Sequence, residues 1–131
     1  MILLDTHAWL WLGSNPARLS RTAAAAISGA VRSGGIAVAS VSLVEIAWLM
    51  AHNRLGLRGT SETVLTRLVE ETGVVVKEIT PAVAILAVQF TQEFPRDPAD
   101  RLIAATARAE GLPLVTRDAR LRRSRLVETV W

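Results

Sequence analysis

The sequence predicts an α/β fold of three layers, with a central parallel sheet covered by helices on both faces. Three observations predict it. Short apolar runs alternate with longer segments of helical periodicity along the whole chain. Turn and cap residues (glycine, proline, serine, aspartate) fall at the junctions between them. Half of the 131 residues are apolar by type, enough to bury a core in one domain covering residues 1–131.

In order, Ile2–Leu4 reads as a short buried strand ending at Asp5, and His7–Leu12 as a helical turn closed by Gly13-Ser14-Asn15-Pro16. Ser20 caps an alanine-rich helix running to Arg32 and ended by Gly34-Gly35. Ile36–Ala39 is a second strand. Residues 42–53 form a helix with Leu43, Ile46, Ala47 and Met50 on one stripe. A break over 55–59 precedes a helix at 61–72, closed by Gly73. Val74–Ile79, β-branched and alternating, is a third strand. Thr80-Pro81 opens a helix to about Gln92. Phe94-Pro95-Arg96 is a loop, and Asp97-Pro98 opens a helix to Glu110 with Gly111 as its C-cap. Leu112–Thr116 is a fourth strand, 118–124 a short basic helix, and Leu126–Val130 a last strand.

Composition excludes several chemistries. There is no cysteine, so no disulfide, thiolate metal site or thiol nucleophile. His7 and His52 are the only imidazoles, so any metal would be held by carboxylates and would be a hard cation such as Mg²⁺ or Mn²⁺. Mean hydropathy is high at +0.32. Yet the longest apolar run, 82–88, is far short of the roughly 20 residues of a membrane span. The first basic residue is Arg18, which does not suit a secretory leader, and the expected location is the cytoplasm. The net charge is +3, with fourteen arginines and one lysine, Lys77. Arg117, Arg120, Arg122, Arg123 and Arg125 cluster near the end, which suits a phosphate-bearing partner or a solvated helix face. Trp9, Trp11, Trp48 and Trp131 read as core or interface residues, with Trp9 and Trp48 as candidates for a partner surface.

The chain has only four aspartates, Asp5, Asp97, Asp100 and Asp118, all at strand ends or helix starts. In an open parallel sheet ligands bind beyond the carboxyl ends of the strands, so these four and Glu45 are expected to converge. Each has a local alternative. Ser42-Leu43-Val44-Glu45 has the form of a capping box, in which Glu45 reaches back to the Ser42 N–H. Asp97 fits an N-cap with Pro98 at N1 and Asp100 at N3. Asp118 and Asp5 suit caps as well. Taken singly, each acid is explained by capping. Taken together they would repel, and helix N-termini offset only about 0.3–1 kcal/mol each. A divalent cation resolves the conflict.

The segments Leu3-Leu4-Asp5-Thr6-His7, Ser42-Leu43-Val44-Glu45-Ile46-Ala47, Asp97 to Ala107 and Leu114-Val115-Thr116-Arg117-Asp118 resemble those of PIN-domain ribonucleases, and more closely the VapC-like toxins of bacterial toxin–antitoxin pairs. The resemblance spans the whole chain. It implies a PIN-like fold, with the two helices between about 42 and 72 forming an arm used for dimerisation. It also implies a catalytic and metal-holding set of Asp5, Glu45, Asp100 and Asp118. Asp5 and Asp100 would be the main Mg²⁺ ligands, with Mn²⁺ as a substitute, and Asp97 and Thr116 would be helpers. The implied activity is metal-dependent endoribonuclease cleavage leaving a 5′-phosphate. Arg117, Arg120 and Arg122 are candidates to hold the RNA backbone. The implied partners are a cognate antitoxin, a second copy in a homodimer, and a toxin–antitoxin hetero-oligomer. The antitoxin's expected seat is a groove between the arm helices and the Trp9–Trp11 turn. Two rivals stand beside this reading. One is a phosphoacceptor receiver domain, disfavoured because Lys77 comes too early and only one acid follows the first strand. The other is a catalytically silent PIN-type binding module.

Overall fold

The protein is described by a computed structural model covering residues 1–52, 58–91 and 94–131. Five strands form one sheet: β1 (Ile2–Leu4), β2 (Ile36–Ala39), β3 (Val75–Lys77), β4 (Leu114–Val115) and β5 (Thr129–Val130). They lie in the order β3-β2-β1-β4-β5 and every neighbouring pair is parallel. Among the described residues seven α-helices surround them: α1 (Thr6–Ser14), α2 (Arg21–Ser33), α3 (Val41–Ala51), α4 (Ser61–Thr72), α5 (Pro81–Gln89), α6 (Pro98–Glu110) and α7 (Ala119–Ser124).

The period-two geometry of the strands divides the core into two layers. Leu3, Ala37, Ala39 and Leu114 face one side, where α5, α6 and α7 pack through Val83, Ile103 and Leu121. Leu4, Ile36, Val38 and Val115 face the other, against Trp9 of α1, Ile27 of α2, Ile46 of α3 and Leu68 of α4. This is the three-layer arrangement expected. Trp9 is fully buried, and its indole N–H donates to the Thr72 hydroxyl at 2.9 Å, joining α1 to the last turn of α4.

Several boundaries differ from the sequence reading. α1 continues through Gly13 and Ser14, where a loop was expected, because the Ser14 hydroxyl bonds the Leu10 carbonyl and Asn15 N–H closes on Trp11. β3, β4 and β5 are shorter than the apolar runs that contain them. Ladder pairing ends where the neighbouring strand ends, while the flanking side chains still pack on the core. α3 begins at Val41 and α5 ends at Gln89. The expected helix ends at Asn53 and Gln92, and positions 55–57 of the expected break, lie outside the described residues. The C-caps Gly73 and Gly111 have φ of 66° and 65°, a left-handed conformation that disfavours residues with a Cβ.

The strand order also decides against the receiver-domain rival. That fold runs 2-1-3-4-5, whereas this sheet runs 3-2-1-4-5. Lys77, which the receiver reading needs near its acids, instead pairs with Glu110 at 3.3 Å. Among the described residues no helix is long and apolar enough to cross a membrane.

Trp9 is fully buried and bonds Thr72 of α4, so Trp9→Ala is expected to destabilise the fold by about 3–5 kcal/mol. Urea unfolding followed by circular dichroism measures this.

Candidate active site

In the order 3-2-1-4-5 the direction of winding reverses between β1 and β4, and a crevice opens beyond their carboxyl ends. Asp5 follows β1 directly and its N–H bonds the Val115 carbonyl at 3.0 Å, so the aspartate is fixed at the rim of the sheet. Thr116 and Asp118 follow β4. Asp97 and Asp100 arrive on the first turn of α6, and Glu45 on the second turn of α3. All five acids line one cleft of about 460 Å³, together with His7, Trp11, Arg117 and Arg120.

The capping and convergent readings of the aspartates both hold. Asp5 Oδ1 accepts from Ala8 N–H at 2.7 Å. Asp97 Oδ1 accepts from Ala99 N–H at 2.8 Å, and Asp118 Oδ1 from Arg120 N–H at 2.8 Å. A carboxylate has two oxygens, so one can cap a helix while the other serves the cleft. Glu45 is different, and the capping-box alternative falls. The helix begins before Ser42, whose side chain is fully buried, and Glu45 accepts the Thr6 hydroxyl proton. Thr6 Oγ1 also lies 2.9 Å from Ser42 Oγ. A hydroxyl carries one proton, so Ser42 donates to Thr6 and Thr6 to Glu45. Thr116, fully buried, joins the other two acids: its hydroxyl bonds the Asp5 carboxylate and accepts the Asp118 N–H at 3.0 Å.

Electrostatics follow from this crowding. Burial raises the pKa of Asp5, against the Thr116 and Ala8 hydrogen bonds. Burial also raises Glu45, opposed by Thr6 and reinforced by Asp97. Asp100 is pushed up to about 6, by burial first and then by the charges of Asp97 and Asp118. At Asp118 burial is overcome by hydrogen bonds from Arg120, and the pKa falls. The Arg120 guanidinium lies between two acids, 3.0 Å from Asp118 Oδ2 and 3.4 Å from Asp100 Oδ2. As the side chains stand, no three carboxylate or imidazole groups among the described residues are arranged to ligate one ion. The donor chemistry nonetheless suits a hard divalent cation: oxygen donors only, partly desolvated, and mutually repelling.

Of the expected arginines, Arg117 and Arg120 line the cleft. Arg122 does not. It faces a separate hollow with Thr22, Thr129 and Trp131, because α7 turns its side chain to the β5 edge. Trp9 is core and drops out as a partner residue, while Trp48 is exposed. Three contributors were not singled out from the sequence. Thr6 and Ser42 orient Glu45. Arg101 spans the carbonyls of Ala87, Phe90 and Thr91 at 3.0–3.1 Å, locking the end of α5 beside the first turn of α6. An arginine next to Asp100, just before the apolar run Leu102–Ala105, was the available signal for the last of these.

A PIN domain model matches residues 2–125. The chain is 44% identical over 132 residues to Ribonuclease VapC22 of Mycobacterium tuberculosis, covering 99% of this chain and 98% of that protein. Among solved structures, VapBC2 from Rickettsia felis, bound to a DNA fragment from their promoter, has a TM-score of 0.74 at 17% identity, over 98% of this chain and 97% of that one. FitAcB from Neisseria gonorrhoeae has a TM-score of 0.66 at 25% identity, over 98% and 96%. DNA-bound VapBC from Salmonella typhimurium has a TM-score of 0.70 at 19% identity, over 98% and 97%.

The raised Asp100 pKa sets the sign of a pH dependence. The folded state holds this proton more tightly than the unfolded chain, so the burial penalty is absent below the ordinary value of 3.8 and complete above about 6. In metal-free buffer, Asp100→Asn is expected to gain melting temperature over the parent as pH rises through that window, with no further gain above it. Thermal melts of the two proteins across pH check this.

Proposed function

The chain belongs to the PIN-domain family, and on that premise we propose that it is a metal-dependent endoribonuclease, the toxin of a toxin–antitoxin pair. The observation that carries this reading is the gathering of Asp5, Glu45, Asp97, Asp100 and Asp118 in one cleft with two arginines on its rim. Asp5 and Asp100 would hold a Mg²⁺ or Mn²⁺ ion, with Glu45 and Asp118 completing its surroundings directly or through water. Bound there, the ion supplies Lewis acidity at the scissile phosphate and makes a bound water more acidic.

The remaining work falls to the chain itself. Arg117 and Arg120 take non-bridging oxygens of the RNA backbone. The short path from Asp118 to Arg120 lets the guanidinium exchange its carboxylates for a phosphate when the strand enters. Glu45, held by the hydroxyl chain from Ser42 and Thr6, is placed to take a proton from the attacking water. Thr116 fixes the rotamer of Asp5. No side chain acts as nucleophile. Water attacks phosphorus, the 3′ oxygen leaves, and the product carries a 5′-phosphate.

The structures of VapBC2 from Rickettsia felis and VapBC from Salmonella typhimurium support an antitoxin as partner. Its proposed seat is the hollow between α1 and α4, lined by Leu10, Gly13, Val64, Arg67 and Leu68, without Trp9 or Trp11 of the expected groove. Trp48 does not line that hollow. A homodimer within a toxin–antitoxin hetero-oligomer is the assembly that this reading implies.

The test is RNA cleavage by purified, partner-free protein in Mg²⁺ or Mn²⁺ against EDTA. Asp5→Asn is expected to lower cleavage at least about 10²-fold. Because asparagine caps a helix as well as aspartate, circular dichroism should be unchanged and the metal-free melting temperature should rise. Thr116→Val is expected to cost about 10- to 100-fold in Mg²⁺ affinity or activity, with its fold intact. Cleavage that survives both EDTA and Asp5→Asn overturns the reading. A folded protein that binds neither metal nor RNA is the silent binding module.

A further inference from the structure

Next to the acidic cleft lies a second hollow of about 380 Å³, lined by His7, Glu45, Trp48, Leu49 and His52. It shares His7 and Glu45 with the cleft, so the two adjoin. Trp48 is 62% exposed, whereas Trp9 and Trp11 are buried. The Trp48 ring is also held in place. It stacks on His52 with centroids 4.9 Å apart and planes 21° from parallel. The His52 ring is itself tied by Nδ1 to the Trp48 carbonyl at 2.8 Å. Glu45, Trp48 and His52 follow one another at i, i+3 and i+7 and share a face of α3. The indole therefore stands one helical turn from an acid of the cleft.

We propose that this hollow seats an unpaired nucleobase of the RNA, with Trp48 as the stacking surface and His52 as its support. The inference rests on the ribonuclease reading and adds to it a requirement on substrate. A base reaches an aromatic face only when it is out of a duplex, so the platform selects single-stranded or looped RNA at the nucleotide next to the scissile phosphate. Stacking on an indole accepts any base, because every base has a π-face. The surroundings favour nucleic acid over protein. Beside Leu49, two imidazoles and a carboxylate line the hollow and offer hydrogen-bonding groups to the edge of a base. The hollow also opens onto the place where the phosphodiester lies. Trp48 touches the base and not the reacting atoms, so it acts in binding and specificity.

The experiment uses the full chain carrying Asp5→Asn, which slows cleavage, in EDTA. A short fluorescein-labelled single-stranded RNA of mixed sequence is titrated by fluorescence anisotropy, and then a set in which each base in turn is removed to leave an abasic sugar. Trp48→Ala is expected to weaken binding about fivefold or more, and Trp48→Phe to keep most of the affinity. One abasic position should weaken binding to the Trp48 protein and make no difference to Trp48→Ala. Circular dichroism should be the same for all three, since the side chain is exposed. Equal affinities and identical abasic profiles overturn the inference and leave the ribonuclease reading in place. The same result with a change in oligomeric state also overturns it and makes Trp48 a protein contact. If the parent, with Asp5 in place and Mg²⁺ present, neither holds nor cleaves RNA, the ribonuclease reading falls and the inference with it.

Discussion

The rest of the structure depends on the crowding of like charge at the point where the sheet reverses its winding. Five carboxylates meet beyond the ends of β1 and β4, and three of the aspartates are also the residues that start helices α1, α6 and α7. The helix starts position the acids, and their N–H groups offset part of the repulsion. The offset is incomplete, as the raised pKa values of Asp5, Glu45 and Asp100 show. Arg120 supplies a further share by spanning Asp100 and Asp118. The cleft is thus held together against its own charge and is poised to gain stability from a cation.

This double use explains which parts of the site were legible in the sequence. The aspartates were visible because a cap leaves a local pattern, such as Asp97-Pro98 before an apolar helix. Their convergence was visible because the helices after β1, β2 and β4, and the helix that runs back into β4, all start near one edge. Glu45 was the ambiguous member. Three-residue spacing from Ser42 mimics a capping box, but α3 starts earlier and Ser42 faces the interior. Only the contact with Thr6, thirty-nine positions from Glu45 along the chain, settles where that carboxylate points. Such long-range hydroxyl chains leave no periodic trace.

The same distinction separates the tryptophans and the arginines. Trp9 and Trp48 look alike as residue types, yet one joins α1 to α4 in the core and the other stands open to solvent beside the acids. Which face of a helix is covered depends on where its neighbours lie, and the weak amphipathicity of α1 and α3 hides it. Among the clustered arginines, Arg117 and Arg120 reach the cleft because they border the β4–α7 turn, while Arg122 lies farther along α7 and faces β5. Strand lengths were overestimated for a related reason. An apolar run records burial, whereas a strand requires a partner in register.

The layout also accounts for why one small fold supports cleavage without a nucleophilic side chain. Rigid elements deliver every acid: a strand end for Asp5, buried helix turns for Glu45 and Asp100, and a cap for Asp118. Neutral hydroxyls, Thr6 on Glu45 and Thr116 on Asp5, hold two of them, and Arg101 bonds backbone carbonyls beside Asp100. Asp5 and Glu45 are therefore restrained without being neutralised, and Arg120 is shared between Asp100 and Asp118. Negative charge is kept available for a cation, and Arg117 and Arg120 border the same space to meet a phosphate. An arrangement that paired each acid internally would be more stable and would have no remaining charge with which to bind either.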